Sequence, residues 1–225
     1  MSVEENLIQV RSTLPIGVQL VAVSKTHSDT EIMEAYNTGQ RIFGENKVQE
    51  LLRKWESLPK DIEWHFIGHL QSNKVRFIAP FIAMIHSVDS LKLLKTINDE
   101  GRRIGRVIPC LLQFHIASEE SKFGLIPTSV DQLFSGIDLM GLDHIAFSGV
   151  MGMATFTDDV EMVKKEFSLL AALFQKLKRS YFPGEPDFRE ISMGMSDDYL
   201  LAIACGSTMV RIGSTIFGER CYISE

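Results

Sequence analysis

Short runs rich in β-branched and aromatic residues alternate with helix-period segments along almost the whole chain, and this alternation limits the fold more than any other feature. The strand candidates are residues 20–23, 42–43, 64–67, 84–86, 107–114, 145–150, 190–193 and 209–212. Between them lie helical patterns at 29–37, 47–58, 72–78, 90–103, 128–133, 159–179 and 197–204. Strands that alternate with helices read as βαβ units around a mainly parallel sheet, buried on both faces. Eight of them fit a single closed (β/α)8 TIM-type barrel, an α/β fold, better than an open doubly wound sheet. An open sheet would want a Gly-rich dinucleotide turn after its first strand; Lys25-Thr26-His27 stands there instead. No linker or shift in composition divides the 225 residues. The expectation is therefore one barrel domain over residues 1–225, with an extra N-terminal helix within 1–15 placed to cover the open bottom.

The formal net charge of −6 argues against general nucleic-acid binding, which normally uses a basic surface. Cys110, Cys205 and Cys221 are widely spaced and form no zinc or redox pattern. An odd cysteine count without a secretory pattern near Met1 fits a reducing cytoplasm. No stretch is long and apolar enough to span a membrane.

In a parallel barrel the active face collects the C-terminal ends of the strands, and a phosphate often binds in the loops after strands seven and eight. Here those loops hold Gly194 and Ser196, then Gly213 and Ser214. Glycine lets the backbone approach an anion closely, and hydroxyls and amides open the following helix. Ser196 also reads as an ordinary helix N-cap, with Asp198 adding favourable charge to the first turn. Along residues 209–213, Val210 and Ile212 share one face and Arg211 takes the other. Arg211 then points into the barrel mouth or pairs with a carboxylate such as Glu219. Lys25 closes the first strand. A desolvated amine loses its proton more easily, and a neutral amine can attack an aldehyde to form a Schiff base. Taken alone, Lys25 reads as a lysine snorkelling to the rim of the sheet. Together with the paired loops and Arg211, it points to a phosphorylated aldehyde, with pyridoxal 5′-phosphate the obvious candidate.

Five blocks carry a resemblance to the pyridoxal-phosphate homeostasis protein family: residues 21–26 (VAVSKT), 43–50 (FGENKVQE), 64–74 (WHFIGHLQSNK), 192–198 (SMGMSDD) and 206–220 (GSTMVRIGSTIFGER). The resemblance implies a barrel of the alanine-racemase type that binds its cofactor without established turnover and takes part in vitamin B6 homeostasis. It implies that Lys25 is the Schiff-base lysine, that Ser196, Gly213 and Ser214 hold the phosphate, and that Arg211 faces the pyridine nitrogen. Asn46 and His86 would line the cofactor, with Met193 as a packing neighbour. Ser214 stands where such proteins more often have threonine, and it keeps the hydroxyl. His27-Ser28 stands where the family often has lysine and proline, which changes the lip of the pocket. A charged guanidinium facing the pyridine nitrogen disfavours its protonation, so the ring is a poorer electron sink. That suits a binder, or a racemase-like site, better than an aminotransferase. Apo-enzymes that use the cofactor are candidate recipients, and a monomer is expected.

Other groups carry less. His65 and His69 are separated by Gly68, with His65 on a strand, so a helical metal pair is not expected. Glu45 with Glu50, and Glu119 with Glu120, read as solvated charge; Phe66, Phe77 and Phe81 read as core or rim packing. An amino-acid racemase of the same barrel is the alternative enzyme reading, but it needs a second base on the opposite face of the cofactor. Such a base usually comes from another domain or subunit, and the chain ends soon after strand eight. Among the tyrosines only Tyr199 stands near the expected site.

Overall fold

The computed structural model describes residues 1–119, 123–135 and 141–218. Its strands follow chain order around a closed, parallel barrel. They are β1 (Gln19–Val23), β2 (Ile42–Glu45), β3 (Glu63–Phe66), β4 (Met84–Val88), β5 (Ile108–Gln113), β6 (Ile145–Met151), β7 (Glu190–Ser192) and β8 (Met209–Ile212). The helices are α1 (Val3–Ser12), α2 (Asp29–Asn37), α3 (Val48–Ser57), α4 (Val75–Ile78), α5 (Leu91–Ile104), α6 (Val130–Ser135), α7 (Val160–Ser180), α8 (Tyr199–Ala204) and α9 (Ser214–Phe217). β1 closes the ring against β8, with Val21 opposite Arg211 and Ala22 opposite Ile212.

Strand alternation divides the core into two parts. Leu20, Ala22, Trp64, Phe66, Val210 and Ile212 belong to the large apolar cluster between strands and helices. Val21, Leu111, Met151 and Met209 are equally buried but stand outside that cluster, on the inward parity of their strands. The same inward parity carries His65, His86, Ser192 and Arg211, all buried. On the outer layer, α7 packs Val163, Phe167, Leu170, Phe174 and Leu177, and Asp159 caps its start through the Met162 amide.

Two expectations need correction. The N-terminal helix does not lie across the barrel bottom. A capping box between Ser2 and Glu5 starts α1, which buries Val3, Leu7 and Val10 along the outer wall beside α2 and α9. Asn6 Nδ2 donates to the Ile216 carbonyl at 3.0 Å and Arg11 Nη1 to the Thr38 carbonyl at 2.8 Å, which ties the helix lengthwise. The segment 72–78 is not one helix: a 3-10 turn, Ser72–Lys74, precedes α4. Among the described residues no helix is long and apolar enough to cross a membrane.

Gly149 marks the tightest strand contact. Its φ is +148°, and a Cβ there would collide with the Glu190 backbone of the neighbouring strand. Strain and overpacking add at such a position, so Gly149→Ala is expected to cost at least about 2 kcal/mol of stability. Thermal unfolding of the two proteins checks this; equal midpoints would show that the β6–β7 contact yields freely.

Candidate functional site

At the C-terminal ends of the strands a cavity of about 290 Å³ opens, close to the lower edge of the roughly 300–1,000 Å³ usual for small-molecule sites. Lys25, Asn46, Ser196, Arg211, Gly213 and Ser214 all line it. His86 and Met193 do not; both are fully buried, Met193 in the apolar cluster of the barrel wall, and His86 reaches the site only through Ser192 and Arg211. His27, expected at the lip, lines the cavity too, and Ile67, Met153, Phe156 and Asp197, which the sequence did not single out, complete the walls. His27 stacks on Phe217 at 4.8 Å and bonds Glu31 at 3.0 Å, so the unusual residue at the lip is buried and fixed.

The loops after β7 and β8 meet at Ser196. Its Oγ accepts from the Gly213 amide at 3.3 Å and the Thr215 amide at 3.5 Å, both long bonds. Ser196 is therefore not the N-cap of α8, a position held by Asp198. Its hydroxyl turns across to the neighbouring loop, and two backbone amides of that loop point at its oxygen. Asp198 instead accepts the Met195 amide at 2.6 Å and fixes the first loop; burial raises its carboxyl above the ordinary range. Opposite these loops, Asn46 Oδ1 is buried and accepts no hydrogen bond from the described residues. Gly68 packs so closely on the Asn46 backbone that a Cβ would overlap it, which holds Asn46 in place.

Arg211 heads a polar chain across the barrel interior. Its Nη2 donates to the Gly152 carbonyl at 3.1 Å and its Nη1 to Ser192 Oγ at 2.7 Å. Ser192 Oγ lies 3.0 Å from His86 Nδ1, and His86 Nε2 lies 2.9 Å from His65 Nδ1. A guanidinium only donates, so Ser192 Oγ accepts from Arg211, and the tautomers of His86 and His65 set the direction of the two bonds beyond it. Burial lowers the arginine to about 10, which leaves it charged at neutral pH. Glu219, the carboxylate considered as its partner, lies outside the described residues.

Behind Lys25 is a second network, which overturns the reading of Glu45 and Glu50 as solvated. Lys54 is fully buried, and its three ammonium hydrogens go to Glu45 Oε1, Glu50 Oε1 and the Ser24 carbonyl, each at 2.7 Å. Ser24 Oγ donates to Glu45 Oε1 at 2.7 Å, and the Thr26 amide donates to Glu50 Oε1 at 2.6 Å. Burial pushes Glu45 up despite Lys54, and its Oε2 has no partner among the described residues. Burial alone would raise Glu50 too, but the hydrogen bond and charge of Lys54 hold it below the ordinary range. One signal was available: Lys54 stands on the buried stripe of α3, with Val48 and Leu51. Thr26 has φ +69°, a left-handed conformation that costs a non-glycine residue roughly 1–2 kcal/mol.

The remaining candidates separate. His69 pairs with Asp89 at 3.0 Å and stacks on Phe123, away from His65. Tyr199 turns its hydroxyl to Thr13 Oγ1 at 3.0 Å and does not line the cavity. Glu120 and Cys221 lie outside the described residues.

The buried histidines make stability depend on pH. Folded His65 is lowered by burial to about 3, against an ordinary value of 6.5, and His86 is lowered as well, chiefly by burial. Between these values the unfolded chain takes up protons that the folded one refuses, so stability falls as pH drops below about 6.5, by up to about 1.4 kcal/mol per pH unit for each histidine. In denaturant titrations, His65→Gln is expected to reduce this slope by about 1 kcal/mol per pH unit between about pH 6 and 4.5. An unchanged slope would show that His65 is protonated in the fold.

Comparison with known proteins gives a consistent picture. The model of the family described as alanine racemase, N-terminal domain, matches residues 1–221. A protein of Pasteurella multocida named pyridoxal phosphate homeostasis protein is 37% identical, the match covering 99% of each chain. The human protein of that name is 42% identical over 92% of this chain and 78% of its own. PipY of Synechococcus elongatus, solved with PLP bound, has a TM-score of 0.86 and 35% identity, covering 96% of this chain and all of that one.

Proposed function

Since the chain belongs to the alanine racemase N-terminal domain family, among the pyridoxal phosphate homeostasis proteins, we propose that it binds pyridoxal 5′-phosphate through a Schiff base to Lys25. In this reading it buffers or delivers the cofactor and is not an enzyme. The observation that carries it is the cavity itself, where an amine, a hydroxyl-and-amide cup and a charged guanidinium face one another. When bound, pyridoxal 5′-phosphate supplies an aldehyde that condenses with a primary amine, with loss of water.

The residues fit such a ligand. Asn46 Oδ1 is a buried acceptor without a donor from the described residues. The long bonds of Ser196 leave its cup open to a stronger acceptor, and a phosphate takes hydrogen bonds from hydroxyls and amides. Ser196, Gly213 and Ser214 would hold the phosphate, and Arg211 would meet the pyridine nitrogen. Arg211 stays charged and is held by Ser192, which supports an unprotonated ring and weak electron withdrawal. His86 acts one bond further back by orienting Ser192, and Met193 packs in the apolar core of the barrel wall. The tyrosine considered as a racemase base turns toward Thr13, which favours a binder. The same reading takes the protein as one cofactor-binding unit that works as a monomer in the cytoplasm and releases the cofactor to apo-enzymes.

Purified protein mixed with pyridoxal 5′-phosphate is expected to gain a near-ultraviolet or visible band that survives desalting. Lys25→Ala is expected to lose it, and Ser196→Ala to bind at least about tenfold more weakly, as for a lost hydrogen bond to a charged group. Identical spectra for wild type and Lys25→Ala would sink the reading.

A further inference from the structure

Lys25 is flanked by hydrogen bonds that the cavity walls do not need. On one side the Ser24 carbonyl accepts from Lys54 Nζ and the Ser24 hydroxyl donates to Glu45. On the other the Thr26 amide donates to Glu50. Lys54 joins the two carboxylates, so both sides of Lys25 are tied to one buried ion group. None of the three lines the cavity. Strand alternation sends Val23 and Lys25 inward and Ser24 outward, toward α3. The group therefore grips the turn from behind the barrel wall.

Packing alone does not account for it. Taking an ammonium and a carboxylate fully out of water is unfavourable, and an apolar side chain could fill the same volume. What the ion group supplies is direction: it holds the chain through a left-handed Thr26 immediately after Lys25. A turn so constrained fixes the Lys25 Cα–Cβ bond relative to the cup around Ser196.

We infer that Lys54, Glu45 and Glu50 are positioning residues that aim the Lys25 amine at an aldehyde bound in the cavity. The inference rests on the reading of Lys25 as the cofactor-accepting amine. Removing part of the grip leaves the walls and the phosphate cup in place but lets Lys25 wander. Attachment then slows, while recognition of the ring and phosphate does not change.

Glu50 is the member to vary, because its side chain keeps 19% exposure and its loss leaves no large cavity. Glu50→Ala removes the acceptor for Thr26, whereas Glu50→Gln keeps an oxygen there. Two quantities are measured: the rate at which the absorbance band grows with pyridoxal 5′-phosphate, and the affinity for pyridoxine 5′-phosphate, which has no aldehyde. Glu50→Ala is expected to attach the cofactor at least about tenfold more slowly, as misplaced reacting groups do. Its pyridoxine 5′-phosphate affinity should stay within about twofold of wild type, and Glu50→Gln should recover most of the attachment rate. A wild-type rate in Glu50→Ala, or an equal loss of pyridoxine 5′-phosphate affinity, would overturn the inference. Lys25→Ala run alongside separates the two levels. If its band persists, the Lys25 reading falls and the inference with it; if its band is lost while Glu50→Ala matches wild type, only the positioning role falls.

Discussion

The parallel pairing of β1 with β8 is the contact on which the rest depends. It joins Gln19 through Ala22 to Met209 through Ile212 and so brings the first and last strands of the chain side by side. Lys25 follows one of these strands; Arg211 belongs to the other, and Gly213 and Ser214 follow it. No local sequence signal could place them in one cavity, because they are separated by most of the chain. Closure does so, and it also leaves no strand edge exposed. The seam is reinforced from outside where α1 lies along α9 and α2.

Two buried polar systems flank that seam, and they differ in charge. Inside the barrel, Arg211 is the one cation in a chain of otherwise neutral partners, Ser192, His86 and His65, linked in series behind it. Outside the strands, Lys54 is balanced by carboxylates within contact distance. Burying either system is unfavourable unless its hydrogen bonds are satisfied. Both are almost fully paired. The exception within them is Glu45 Oε2, and outside them Asn46 Oδ1, on the next residue, is also without a partner among the described residues. The polar interior thus resists rearrangement, while the unpaired Asn46 oxygen is available to a ligand.

Much of the architecture was legible in the sequence because a parallel strand buried on both faces leaves a short apolar run that little else produces. The proposed strands at 84–86 and 209–212 fall within β4 and β8. Arg211 was legible from alternation alone, since Val210 and Ile212 needed the apolar side. The same reasoning extends to His65 and His86, which share inward parity, but their mutual hydrogen bond depends on the neighbouring registers of β3 and β4. Glu45 and Glu50 were misread because a carboxylate near a helix start usually faces water. Their burial follows from Lys54, which sits on the wrong face of α3 for a solvated lysine. Ser196 was half legible: its hydroxyl does bond backbone amides, but those of the adjacent loop and not of its own helix.

In the proposed function the fold selects one lysine amine, at the end of β1, for a phosphorylated aldehyde. The most direct measurement is to treat the protein with pyridoxal 5′-phosphate at equimolar ratio, reduce the adduct with borohydride, and map the modified peptide by mass spectrometry. The added mass is expected on Lys25. A label on Lys47, Lys54 or Lys74 in its place, or no label at all, would contradict it.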